Sequence, residues 1–274
     1  MRSKIIDKQK VYADNIKIWQ VDRVFLLCMR YLSSSIGLHQ RVASSPPKIA
    51  FLVFWMTTNL IKLIHKLFRN LFPSRYTDAD PYKLIYVNPE RIESTTGEIY
   101  SKRRGWVVDG EWDKEGRDYM KRSNPTAIRQ RFVQGVDWKN TVFSEEYNEP
   151  KFEDRTKSVE KLYTQIRKDG YKSQRQLLNE NPEDAWNGLN DAMHPLANEV
   201  SVDIGRNGEL LWNICGQHRL AIAKILGVNS IPVQVFRRHA EWQEIRDKAR
   251  QGCEIPEEFL KHPDLQDVLG SSQS

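Results

Sequence analysis

Cysteine is scarce in this sequence, and its few residues do not form a pattern that binds metal. Cys28, Cys215 and Cys253 lie far apart, and there is no Cys-x-x-Cys pair. This spacing excludes a zinc knuckle and gives no support to a disulfide framework. We therefore predict no metal site built on cysteine, and we expect a reducing, cytoplasmic location.

Long uncharged apolar runs are also missing. The longest, residues 49–61, has 13 residues, whereas a helix that spans a bilayer needs about 20. The chain has no Walker loop, no Gly-x-Ser-x-Gly element and no His-Glu-x-x-His element, and each of these absences removes an enzyme class. No secretory signal opens the sequence.

Charge is unevenly distributed along the 274 residues. Residues 1–75 hold 13 Lys/Arg against 3 Asp/Glu, whereas residues 76–274 hold 29 against 33. The overall charge of +6 therefore belongs to the N-terminal quarter, and the rest is mildly acidic. Because nucleic acids are bound by clustered Lys and Arg, the acidic body does not favour a nucleic-acid groove. The N-terminal quarter is suited to an acidic partner or a membrane surface.

The N-terminal quarter, residues 1–75, is predicted to be a helical extension. Residues 16–32 favour a first helix, and a Ser- and Pro-containing break follows. Residues 49–72 form the most apolar stretch, and its second half is amphipathic, with Lys62, Lys66 and Arg69 opposite a Leu/Ile/Phe face. Two alternatives stay open for residues 49–72: helices packed on the body or a protein partner, and contact with a membrane interface that would make the protein peripheral.

Residues 76–240 are predicted to form the main domain, and residues 241–274 a short helical tail. Residues 83–92 favour a first strand, and residues 156–171 a helix that Gly170 ends. Residues 201–214 favour two strands joined by a turn, with a helix at 215–227 and a buried strand at 231–236. Residues 93–150 give no clear pattern and are interpreted as an insertion.

The segment that carries chemistry is Ile-Cys-Gly-Gln-His-Arg-Leu-Ala, residues 214–221. A strand ends, Gly216 turns the chain, and a helix begins with Gln217, His218 and Arg219 in its first turn. Free backbone N–H groups and the helix dipole favour an anion there. Arg219 is suited to hold phosphate oxygens, and His218 to donate to phosphate or to move a proton as the catalytic residue. The alternative is that Arg219 pairs with an acidic neighbour and His218 caps the turn.

This pattern resembles the ParB/sulfiredoxin superfamily. The resemblance rests on the strand, the Gly-Gln-His-Arg element, the helix that ends in Leu-Gly, and the Ile-Pro-Val strand at residues 231–233, and it covers roughly residues 83–238. It implies an α/β (α+β) domain with a small mixed sheet, preceded here by the helical extension. It also implies a nucleotide or a phosphorylated small molecule as ligand, bound by Gly216, Gln217, His218 and Arg219.

Members of the superfamily differ in chemistry. Sulfiredoxins place a nucleophilic cysteine where this chain has Gln217, so that activity is not expected, and Cys215 is interpreted as packing. Free-serine kinases of this fold carry an Asp where Cys215 stands, so phosphotransfer from ATP with Mg²⁺ would need another carboxylate, such as Asp203 or Glu209. ParB proteins add a DNA-reading module for which residues 241–274 are too short.

Two functional hypotheses follow. The first is nucleotide or phosphoester binding, extended in its enzymatic form to ATP-dependent phosphotransfer or phosphoester hydrolysis. The second is a non-catalytic binding module, such as a nucleic-acid accessory protein. A carboxylate within reach of the bound phosphate separates them, because base or metal chemistry requires one. Outside the motif, two positions are open for His239 and Trp242: a surface position, which is the one predicted, and a position that flanks the pocket.

Overall fold

The computed structural model describes residues 47–97, 104–185 and 195–270. The chain divides into a small compact unit that ends at Trp55 and a larger one that begins at Met56. The larger unit therefore starts well before residue 76, where the main domain was predicted to begin, and it includes the segment after residue 240. The predicted helix at residues 16–32 lies outside the described residues. No helix in the described ranges is long and apolar enough to cross a membrane.

The described residues form a mixed α/β structure around a six-stranded sheet. The strands are β1 (Leu84–Val87), β2 (Ser94–Thr95), β3 (Trp106–Val108), β4 (Val200–Ile204), β5 (Leu210–Asn213) and β6 (Ile231–His239). The sheet has the order β1-β6-β4-β5-β2, and β3 pairs with the second half of β6. β1–β6 and β4–β5 are antiparallel, whereas β4–β6 and β2–β5 are parallel.

The helices lie mostly between and after the strands. They are α1 (Pro47–Leu71), α2 (Ser123–Phe132), α3 (Phe143–Glu146), α4 (Lys151–Asp169), α5 (Gln174–Glu180), α6 (Pro182–Ala185), α7 (Gln217–Ile225), α8 (Ala240–Arg250) and α9 (Gln266–Leu269). Short 3-10 helices span Pro89–Arg91, Tyr119–Lys121, Trp138–Asn140, Pro195–Ala197 and Glu257–Phe259. α2 and α4 both contact α7.

The central strands are buried on both sides. Every residue of β4 and β6 is buried, as expected for neighbouring parallel strands covered by other elements on both faces. β4 alternates between apolar residues and the polar pair Ser201 and Asp203, and alternate side chains point to opposite faces. The carboxylate of Asp203 accepts hydrogen bonds from Arg237 and Asn213 at 2.7–3.0 Å, so the polar face is internally satisfied.

The strand–turn–strand–helix–strand order predicted for residues 201–236 is confirmed, although β6 continues to His239. Gly170 is the C-cap of α4, and its φ of 77° is a value that glycine adopts without the strain of a side chain. The first strand is shorter than predicted, because a 3-10 helix begins at Pro89. Within residues 93–150, which the sequence left without a clear pattern, β2 and β3 belong to the sheet and α2 contributes to the core.

The C-terminal segment is part of the folded body. Trp242, predicted at the surface, is fully buried, as is His239. Arg246 is 1% exposed and binds the carboxylates of Asp78 and Asp267 at 2.7–2.8 Å. These carboxylates come from distant parts of the sequence, which is why the helix pattern alone gave no sign that α8 is buried.

Candidate functional site

The site begins at the turn between β5 and α7. Gly216 has φ of 74° and ψ of 23°, which L-residues other than glycine adopt only with strain. A Cβ on Gly216 would lie 2.7 Å from the Cα of Val200, so no side chain fits between this turn and β4. Glycine is therefore required here by the packing of the turn against the sheet, whether or not a ligand is bound.

Hydrogen bonds on both sides hold the turn in place. The backbone N–H of Cys215 donates to Ser201 Oγ at 3.0 Å, and the indole of Trp212 donates to the carbonyl of Cys215 at 2.9 Å. The hydroxyl of Tyr119 donates to the carbonyl of Gln217 at 2.5 Å. Cys215 itself is half-buried, so the interpretation of it as a core packing residue is correct only in part.

Arg219 is buried in an ion pair. Its guanidinium donates to a carboxylate oxygen of Glu199 at 3.0 Å and to the carbonyl of Lys172, and it lies 4.5 Å from the centre of the Tyr171 ring. His218 and Arg219 are in the first turn of α7, as predicted, but they are only 8% and 7% exposed. Pairing with an acidic neighbour, the alternative drawn from the sequence, is what the structure shows for Arg219.

His218 differs from Arg219 in having an unused polar atom. Within the described part of the chain, its Nε2 makes no hydrogen bond although it is buried. Burial lowers the pKa of His218 to about 3, with a smaller contribution from the positive charge of Arg155. The imidazole is therefore neutral at physiological pH.

His218 lines a cavity of about 120 Å³ at the N-terminus of α7. Gln174 lines it too, and its side-chain oxygen is another buried atom that lacks a partner among the described residues. Across the cavity, Asp184 accepts hydrogen bonds from Lys161 and Gln165 at 2.5–2.6 Å. The remaining lining residues are Arg155, Leu162, Gln165, Leu177, Ala185, Asn198, Ile214, Gly216, Gln217 and Arg219.

The helix terminus adds backbone donors to the same cavity. Among the described residues, no side chain caps α7, since Gly216 at its N-cap has none to offer. The first N–H groups of a helix have no partner within the helix. The N–H groups of Gln217, His218 and Arg219 are therefore at the start of the helix, in the same turn as the His218 imidazole. A helix N-terminus with free N–H groups is suited to bind an anion.

The carboxylates that the sequence suggested for magnesium are elsewhere. Asp203 is bound to Arg237 inside the sheet, and Glu209 lines a different cavity of about 510 Å³ beside Arg91 and Arg206. Of the described residues, Asp184 is the carboxylate that lines the α7 cavity. Among the described residues, no cluster of three His, Cys, Asp or Glu side chains is arranged to hold a metal ion.

Sequence reasoning missed Gln174, Asp184 and Glu199. Gln174 begins α5 directly after Ser173, whose capping box with Gln176 is a local signal for a helix start but not for a role in a binding site. Glu199 immediately precedes β4 and binds both Arg219 and the N–H of Gln174. No local motif marks these residues, because their partners are distant in sequence.

Comparison of the chain with family models, with curated proteins and with solved structures found no match, so the fold and the site stand on their own geometry.

Proposed function

We propose that this protein binds a phosphate-bearing ligand, with the phosphate at the N-terminus of α7, as the resemblance to the ParB/sulfiredoxin superfamily implies. One observation carries the proposal: an uncapped helix N-terminus and the unpartnered Nε2 of buried His218 border the same cavity. Burying a polar nitrogen without a hydrogen bond costs about 1–3 kcal/mol. A ligand oxygen that accepts from His218 would recover that cost.

The size of the cavity limits what enters it. At about 120 Å³ it is well below the roughly 300–1,000 Å³ of sites that enclose whole small molecules. A phosphoryl group fits such a space, whereas a nucleoside would have to extend beyond it. The ligand is therefore a phosphorylated small molecule or the phosphate end of a nucleotide such as ATP.

The charges around the cavity assign different roles to its two arginines. Arg219 is neutralised by Glu199 and held by the carbonyl of Lys172, so it positions the turn instead of holding phosphate. Arg155 lines the cavity and is half-buried, and its charge acts on His218. Arg155, the α7 N-terminus and His218 together would hold the anion, and Gln174 Oε1 would accept from a hydroxyl or amine of the ligand.

The state of the two reactive groups favours binding without catalysis. His218 is neutral with a pKa of about 3, which makes it a weak base. Asp184 is engaged by Lys161, Gln165 and the side chain of Asn181. Phosphotransfer or phosphoester hydrolysis would require Asp184 to exchange one of these partners for Mg²⁺ or for a substrate proton. The non-catalytic binding module is therefore the form of the proposal that the geometry supports best.

A thermal-shift series tests the proposal. The full chain is heated with inorganic phosphate, ATP, ADP, CTP or GTP, each with and without Mg²⁺. A ligand at 100 times its Kd stabilises by about 2.7 kcal/mol, which corresponds to roughly 5–10 °C for a unit of this size. Release of phosphate or ADP in the same samples would report catalysis.

His218→Ala is the informative variant, and His262→Ala is its matched control. His262 is likewise buried with a pKa lowered to about 4, but it lies outside the cavity and binds the carbonyl of Gly208. The proposal predicts that the ligand-induced shift is lost in His218→Ala and kept in His262→Ala. Equal shifts in both variants would place the ligand elsewhere, and no shift with any of the compounds would contradict the ligand class.

A further inference from the structure

A second surface, far in sequence from the α7 cavity, lies on α1 within the larger compact unit. Met56, Leu60, Leu63, Leu67 and Leu71 follow each other at steps of four, three, four and four residues, so they form one stripe along the helix. Each of these side chains is at least 47% exposed. We call this set the leucine stripe; it is about 22 Å long at 1.5 Å per residue.

Contacts on the opposite side of α1 fix the stripe facing outward. His65 binds the carbonyl of Thr77 at 2.9 Å and is buried, and Arg69 pairs with Asp247 at 3.0 Å. Lys62 pairs with Asp80 at 2.6 Å. His65 and Arg69 thus face the body together with Phe68, whose ring stacks on the buried Tyr76, whereas the leucine stripe faces away from it. Turning the leucines inward would break all three interactions.

The charge of the helix identifies the kind of partner. α1 has three lysines and one arginine and no acidic residue. Lys66 is exposed and follows Leu63 by three residues, so it flanks the stripe. If a second copy of α1 packed on the stripe, Lys66 of each helix would approach a helix that has no acidic residue to pair with it. An anionic surface suits both features, because it takes up apolar side chains and attracts a flanking lysine.

We infer that the leucine stripe docks the protein onto the surface of an anionic lipid bilayer, with α1 lying in the plane of the interface. None of the described helices can span a bilayer, which agrees with a helix that lies on it. The inference does not depend on the α7 cavity. It assigns residues 56–71 to the membrane alternative that the sequence left open.

Vesicle co-sedimentation of the full chain tests the inference, with phosphatidylcholine vesicles and with mixed phosphatidylcholine/phosphatidylglycerol vesicles. The wild-type chain should bind the mixed vesicles more strongly. Leu60→Gln/Leu67→Gln should weaken binding by about tenfold or more, because two half-exposed leucines lose their apolar contact with lipid. Lys66→Gln, which removes one positive charge, should weaken binding to the mixed vesicles alone, by about fivefold. Leu260→Gln is the matched control, an exposed leucine outside the stripe that should leave binding unchanged.

Several outcomes would overturn the inference. The inference is wrong if the wild-type chain binds neither kind of vesicle, or if Leu60→Gln/Leu67→Gln binds the mixed vesicles as tightly as the wild-type chain does. Analytical ultracentrifugation tests for a second copy of the chain on the stripe. If the wild-type chain is a dimer, Leu60→Gln/Leu67→Gln is a monomer, and neither protein binds vesicles, the stripe is a dimer interface. Hydrogen exchange in lipid-free protein tests whether another part of the chain covers the stripe. If amides of α1 are protected in the wild-type chain and lose that protection in Leu60→Gln/Leu67→Gln, the protein itself covers the stripe.

Discussion

Replacing Arg219 by methionine should strongly destabilise the protein. Methionine keeps most of the side-chain length but removes the charge, which leaves the carboxylate of Glu199 buried, at 2% exposed, without its cation. Breaking a buried ion pair by removing one partner costs about 3–5 kcal/mol. The contact with the Tyr171 ring and the bond to the Lys172 carbonyl are lost as well. We expect the urea midpoint to fall accordingly, with little change in the slope of the transition.

A double-mutant cycle separates the ion pair from the other contacts of Arg219. Glu199→Gln removes the negative charge but keeps an oxygen for the N–H of Gln174, which donates to Glu199 at 2.6 Å. Arg219→Met in the Glu199→Gln background should therefore cost clearly less than in wild type, with a coupling of about 1–3 kcal/mol. The reasoning would be refuted if Arg219→Met left the midpoint unchanged, which is the result expected of an exposed arginine that serves only a ligand.

Three further predictions concern the turn, a buried histidine and the N-terminal helix. Gly216→Ala should lower the free energy of unfolding in urea by about 2–4 kcal/mol. Gly227→Ala is the control, because Gly227 has a similar φ of 64° but open space around it, and it should lower the free energy by about 1 kcal/mol. Equal losses would exclude the close approach of Gly216 to β4. Burial lowers the folded-state pKa of His218 to about 3, so unfolding takes up a proton between about pH 6.5 and 3, and the free energy of unfolding falls as the pH falls through that window. The loss of stability from pH 7 to 5 should be about 2 kcal/mol smaller in His218→Gln than in wild type. An unchanged pH dependence in the variant would contradict the lowered pKa. Deleting residues 1–55 should leave the larger unit folded by circular dichroism, whereas deleting residues 1–75 should lower its Tm because the contacts of α1 with the body are lost; equal Tm values would show that those contacts contribute nothing.

Elements defined by local sequence were predicted well. The alternation of residues 201–214, the turn at residues 206–208 and the helix that begins after Gly216 depend on neighbours in the chain, and the structure has all three. The helix cap at Gly170 belongs to the same class, since its positive φ follows from local geometry. The junction of a strand, a glycine and a helix was predictable for this reason, whereas ligand binding at that junction stays a prediction.

The burial of charged residues was not predictable. Arg219 is a residue type that often binds phosphate, but here it forms a buried ion pair with Glu199. Arg246 on a polar helix is buried because Asp78, far away in sequence, reaches it. Local patterns report hydrophobic periodicity and caps, whereas such ion pairs depend on tertiary contacts between distant segments. For the same reason the carboxylate at the cavity, Asp184, was not among those that the sequence suggested.

The most direct test of the proposed site is to observe the His218 imidazole while ligand is added. In protein labelled with ¹⁵N-histidine, inorganic phosphate and then the nucleotides are titrated at constant pH, and the ring nitrogens are followed by NMR. Phosphate binding at the α7 N-terminus predicts a saturable shift of His218 Nε2, while His65 and His262, which already bind backbone carbonyls, stay unchanged. Saturable binding of a phosphate compound that leaves the His218 signals in place, or no response of His218 to any of the compounds, would contradict the account.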